Sequence, residues 1–138
     1  SEDSDFSRIN LKDSKDLIHQ KIKKAKTDTS PIPKEIEGLN NRNEAFNLIS
    51  IYSSINNIPI SKTLEEFGGK NFSIFKNKLA ESLVEIVCPI GDEINKLLKD
   101  KSYLHNVLKG GSKKAGIIAN NNLKEIYEII GLTKYNWW

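Results

Sequence analysis

Apolar residues recur every three or four positions along most of the chain, and nowhere do they alternate long enough to give a convincing strand. Leu17, Ile18, Ile22 and Ala25 make one helical stripe, capped by Asp13 or Ser14, with Asp16 in the first turn, where it favours the helix dipole. This helix is expected to stop near Thr27 and Asp28. From Asn43 the same spacing is carried by Phe46, Leu48, Ile49, Tyr52 and Ile55, as far as Asn56, Asn57 and Pro59. A short helix, SKTLEEF, then starts at Ser61. Past Gly68 and Gly69 comes the strongest periodic signal, in Phe72, Phe75, Leu79, Leu83 and Ile86. Pro89 has no N–H to give the carbonyl of residue 85, so it is expected to kink or end that helix, and Ile94, Leu97 and Leu98 resume the pattern. After Gly110 and Gly111 a last helix is expected from about Ser112 to Ile130, with Ala115, Ala119, Leu123, Ile126 and Ile130 on one face and Gly131 as its stop.

Five or six helices without a sheet predict an all-α fold, a compact helical bundle with short connections, preceded by a short extended segment near Arg8 to Leu11. Residues 1–12 form the leading segment, 13–28 a connecting helix and 29–42 a loop. Pro31, Pro33, Gly38, Asn40 and Asn41 suit turns and make that loop the best internal boundary. Residues 43–132 form the helical body and 133–138 a tail. At 138 residues the chain fits one domain able to bury its core without disulfides or metal. It contains no internal repeat.

Composition narrows the chemistry only slightly. The formal charge of +3 permits a polyanionic partner without indicating one. Lys, Ile and Asn number 19, 19 and 15 against two Arg, a bias that AT-rich coding produces, so lysine density carries little weight by itself. One cysteine, Cys88 in LVEIVCPI, excludes an internal disulfide, fits a reducing cytoplasm and reads as a small core residue. No apolar run approaches a membrane span of about 20 residues, and no signal core follows the N-terminus. A soluble, cytoplasmic protein is the expectation. His19 and His105 lie far from each other and from any ligand spacing, so no metal site is expected.

Three stretches remain open to a ligand. HQKIKKAKTD, residues 19–28, holds Lys21, Lys23, Lys24 and Lys26, but at ~100° per residue these point in four separated directions rather than along one phosphate-tracking face. KGGSKKAG, 109–116, would offer an anion the free N–H groups of a helix start beside Lys113 and Lys114, or is simply a flexible turn with a Ser112 cap. The closing YNWW is open to base stacking or to docking of a terminal segment.

Several blocks together resemble the C-terminal part of bacterial-type tryptophanyl-tRNA synthetases. SRINLKDSKDLIHQKIKKAKTD at 7–28 is similar to the segment after the KMSKS signature of that family, and NLISIY at 47–52 to its next block. GGKNFSIFKNKLAESLVEIVCPI at 68–90 resembles the family pattern GKGYGxFKxxLAExxxExxxPI, and LKGGSKKAGIIANNNLKEIYEIIGL at 108–132 resembles the closing helix, usually written GAEKAR near its start. Departures are Asn71 and Ser73 in the first of these, and Gly116, where arginine is common.

The resemblance implies that Ser1 is the last serine of KMSKS, a remnant of the ATP loop, and that the HIGH-like motif, the tryptophan pocket and most of a Rossmann sheet lie upstream of this piece. That would account for a chain with no methionine. It also implies a homodimeric parent enzyme that joins tryptophan to ATP with Mg²⁺ and charges its tRNA. This piece would bind no cofactor, hold no catalytic residue and be inactive alone, and it would receive the anticodon end of the tRNA while moving against the catalytic domain. Arg42, Lys70, Lys76, Lys113 and Lys114, which flank or lie within the matching blocks, are the candidate tRNA contacts, with Lys76 inside the most specific one. The competing reading is a stand-alone helical module that binds a protein or RNA without catalysis.

Overall fold

A computed structural model describes residues 4–132. Ser1 and the 133–138 tail with its two tryptophans lie outside the described residues. Among those described the chain is all-α, with five α-helices and no strand: α1 (Lys15–Lys24), α2 (Asn43–Ile55), α3 (Ile60–Phe67), α4 (Phe72–Lys99) and α5 (Lys101–Ile130). Short 3-10 turns at Asp5–Ser7 and Ile36–Leu39 precede α1 and α2. The chain divides into two compact units, 1–95 and 96–138.

The first unit is a helical bundle around one core. Tyr52 from α2, Phe67 from α3 and Phe75 from α4 meet edge to face, with ring centroids 5.1 to 5.5 Å apart, an arrangement that suits the ring quadrupoles. Ile18 and Ile22 of α1, Ala45, Leu48 and Ile49 of α2, Leu64 of α3, and Leu79, Leu83 and Val87 of α4 complete it. The inward faces are rotated slightly from the expected ones. Ala45 and Val87 point in, while Phe46 and Ile86 stay exposed.

Loop 29–42 belongs to this core as much as the helices do. It buries Ile32 and Leu39, and its backbone is tied to the α3–α4 turn, where Ile32 N–H donates to the Lys70 carbonyl (3.0 Å) and Gly69 N–H to the Ile32 carbonyl (2.7 Å). Gly69 has φ +80°, which explains a glycine there.

The N-terminal segment is partly as expected, with Arg8 extended. Ser14 is the cap of α1, its Oγ accepting the Leu17 N–H at 3.3 Å. α1 ends at Lys24 with Ala25 as its cap, short of the expected stop near Thr27 and Asp28. Pro89 does not end α4, which continues to Lys99; losing one backbone bond is tolerated where Leu83 and Val87 before it hold the helix in the core.

In the second unit, α5 opens on Asp100, whose Oδ1 accepts the Tyr103 N–H at 2.9 Å. It closes on left-handed Gly131, with Leu132 N–H returning to the Tyr127 carbonyl. The expected break at Gly110 and Gly111 does not occur: α5 runs through them without interruption. Glycine weakens a helix by about 1 kcal/mol relative to alanine, but it keeps its N–H, so a glycine pair does not by itself end one. None of the α5 residues is buried.

Candidate nucleic-acid interface and the placement of its cations

The five candidate cations fall into two groups. Arg42 precedes α2 and clips the preceding loop to it. Its Nε and Nη2 donate to the two carboxylate oxygens of Asp28 at 2.8 and 2.6 Å, Nη2 also reaches the Ser30 carbonyl, and Nη1 reaches that of Pro31, both at 3.1 Å. The guanidinium lies 5.8 Å from the centre of the Phe72 ring. The paired guanidinium holds the Asp28 carboxyl below its ordinary pKa. Four contacts from a group with five N–H donors leave little for a ligand in this arrangement.

Lys76 is committed in a similar way. From α4 its Nζ donates to the Ala25 carbonyl at 2.6 Å, placing a positive charge at the C-terminal end of α1, where unpaired carbonyls and the helix dipole favour it. Partial burial pushes the pKa of this ammonium down.

Lys70, Lys113 and Lys114 are exposed. Lys70 follows the Gly68–Gly69 turn, with its Nζ 5.3 Å from the centre of the Phe67 ring. Lys113 and Lys114 lie in the middle of α5 rather than at a helix start. Neither alternative for 109–116, a cradle of free N–H groups or a flexible turn capped by Ser112, is found: α5 runs through the stretch, and interior helical N–H groups are already donated to carbonyls one turn back.

The lysine-rich stretch 19–28 is the larger surprise. Lys21, which the sequence places beside the apolar stripe, is 2% exposed. Its Nζ pairs with Asp13 Oδ2 at 2.7 Å and with Asp5 Oδ2 at 2.8 Å. Burial alone would lower the Lys21 pKa, but the two carboxylates outweigh it and raise the value. Burial would likewise raise Asp13, yet Lys21 and the Asn10 N–H, 2.9 Å from Oδ2, bring it below its ordinary range. Lys24 sits 4.4 Å over the Phe6 ring and Lys26 pairs with Glu44 at 3.2 Å. Beside them opens a cleft of about 540 Å³, its apolar lining made by Phe6, Ile9, Ile22, Ala25, Leu48 and Ile51.

Cys88 is half-buried against the core. Among the described residues no three His, Cys, Asp or Glu side chains gather as a metal would need, and no helix is long and apolar enough to cross a membrane.

The sequence has counterparts among curated proteins. No family model matches the chain. The chain is 44% identical over 132 residues to the tryptophan–tRNA ligase of Mesorhizobium japonicum, an alignment covering 96% of this chain and 37% of that protein. It is 42% identical to the enzyme of that name from Agrobacterium fabrum, over 97% of this chain and 38% of that protein, and 44% identical to that of Rickettsia felis, over 95% and 39%. The chain belongs to the tryptophan–tRNA ligase family. It spans a little over a third of the length of these curated relatives.

What sequence reasoning missed is the pairing of Lys21 with Asp5 and Asp13, and the close approach at Gly91. A Cβ on Gly91 would come within 2.6 Å of the Leu11 carbonyl oxygen, so this glycine lets the leading segment lie directly on α4. The one available signal was the position of Lys21 next to Ile18 and Ile22; its partners lie outside the helix and carry no helical spacing.

Proposed function

We propose that the chain supplies the C-terminal helical part of a tryptophan–tRNA ligase, the parent enzyme activating tryptophan with ATP and Mg²⁺ and charging tRNA(Trp) in the cytoplasm as a homodimer. The observation that carries this reading is identity of 40–44% along almost the whole chain to proteins of that name. In this reading Ser1 borders the ATP loop, the helical part receives the anticodon end of the tRNA and moves against the catalytic domain, and the chain by itself forms no tryptophanyl adenylate.

The five cations act in two ways. Exposed Lys70, Lys113 and Lys114 meet RNA phosphates. Arg42 and Lys76, whose donors hold the 28–31 loop and the end of α1, act on RNA by shaping the surface. Splayed anticodon bases read by stacking and edge contacts would supply the sequence preference, since phosphate contacts carry none.

The test is binding of the anticodon stem-loop of tRNA(Trp) to the chain across a salt series, with Lys70→Ala, Lys113→Ala and Lys114→Ala. Each phosphate-contacting lysine should lower the salt slope by about 1 when removed. Slopes unchanged in all three variants remove these lysines from the interface. Tryptophan-dependent ATP–pyrophosphate exchange should be absent from the chain alone and present in the longer protein; exchange by the pure chain refutes the division of labour.

A further inference from the structure

The segment that leads into the first unit is a 3-10 turn followed by extended chain, a kind of backbone with few hydrogen bonds of its own to hold it. It is nevertheless held from two sides. Lys21 reaches out of α1 to Asp5 and Asp13, and Asn10 joins the two carboxylates, its Nδ2 donating to Asp5 Oδ1 at 2.8 Å and its N–H to Asp13 Oδ2. From the other side the Leu11 carbonyl rests against Gly91 of α4, where no side chain would fit. The segment also forms one wall of the cleft, through Phe6 and Ile9.

An apolar residue at position 21 would satisfy the core without the desolvation that a buried ammonium costs. What an apolar residue cannot do is hold two carboxylates of the incoming chain in one place. We propose that Lys21 is a positioning residue. Through Asp13 and Asp5 it sets where the polypeptide upstream of residue 5 leaves the helical unit, and in the complete ligase it thereby sets the placement of the ATP-side loop. This rests on the ligase reading, in which residue 1 borders that loop; Lys21 itself touches no substrate.

The experiment uses the complete enzyme with Lys21→Met, Asp5→Asn and Asp5→Glu, assayed below their melting transitions for ATP–pyrophosphate exchange and for anticodon stem-loop binding. Lys21→Met should raise the KM for ATP and slow exchange, together ~10- to 100-fold, the size of loss that follows a small misplacement of reacting groups. The KM for tryptophan and stem-loop affinity should stay as in wild type. Asp5→Asn should move the ATP parameters in the same direction by less, and Asp5→Glu, which keeps the carboxylate, should restore most of the loss. Wild-type ATP parameters in folded Lys21→Met overturn the proposal even if its melting temperature falls, because stability alone would move only the latter. Should Lys21→Met fail to fold, Asp5→Asn decides, since the Asp5 side chain is 59% exposed and its loss spares the core; unchanged ATP parameters there overturn the proposal. A wild-type enzyme without tryptophan-dependent exchange overturns the ligase reading and this proposal together, whereas active wild type with unaffected variants overturns this proposal alone.

Discussion

In residues 19–28 three of the four lysines are set among partners: Lys21 is buried between two carboxylates, Lys24 covers the Phe6 ring and Lys26 reaches Glu44, while Lys23 is exposed. In residues 109–116 the lysines stand exposed along the middle of α5, three glycines among them and none of that helix buried. Residue type and density are nearly the same in the two stretches. The difference is that α1 has a neighbour on the side of Lys21, the returning segment 5–13, and that segment brings negative charge. Lysine density therefore says little about binding until the surroundings of each ammonium are known, and a lysine whose stem lies along an apolar stripe is a candidate for a structural ion pair.

The contrast is sharpest in stability. Lys21→Ala leaves Asp13 buried without its counter-charge, and urea unfolding should show a loss of about 3–5 kcal/mol. A loss near zero would mean that Asp13 reaches water in the variant, and the two stretches would then differ less than their geometry suggests.

The pH dependence separates charge from packing. Asp13 has a folded pKa below its ordinary 3.8, so its contribution is complete above that value and is lost as pH falls through the folded pKa. Lys21 has a folded pKa above its ordinary 10.5, so its contribution is complete below that value and is lost as pH rises through the folded pKa. Unfolding free energy measured against pH should decline at both ends in the wild type. In Lys21→Met both declines should be shallower, and parallel profiles would show that the pair contributes no pH dependence.

A smaller effect is expected at Lys76→Met, which keeps the stem and removes the bond to the Ala25 carbonyl. About 1.5–3 kcal/mol should be lost, the range for a hydrogen bond to a charged group, read from the same denaturant curves. The smallest belongs to α5. Lys113→Ala and Lys114→Ala should each change stability by less than about 0.5 kcal/mol, and a larger loss from either would place these lysines with the partnered group.

Much of the architecture was legible in the apolar spacing. α2, α3 and the first half of α4 are where Leu48, Tyr52, Leu64, Phe75 and Leu79 place them, because a repeat of three to four leaves a helix as the one way to bury such residues together. Errors fell where a local rule met a competing term. Gly110 and Gly111 read as a break, but glycine retains its hydrogen bonds. Pro89 read as a possible stop, but core contacts on the same helix carry it through. Phe46 and Ile86 fit the periodicity and still face outward, since spacing defines a stripe only to within about one position, and the neighbouring helix selects its centre.

Among the candidate cations, charge was visible and engagement was not. Arg42 and Asp28 are fourteen residues apart, and Lys76 and Ala25 are fifty-one apart; no local pattern announces such pairs.

What the sequence determined alone was the family, the helical class and the residues able to form a core, because these depend on residue type and on spacing within one element. Tertiary structure alone decided which ammonium groups are sealed against carboxylates or carbonyls and which stand free of the core. A charge is stable in the interior only when elements distant in sequence deliver an opposite partner to the same point. That meeting, Asp5 and Asp13 arriving at Lys21, is a property of the folded chain.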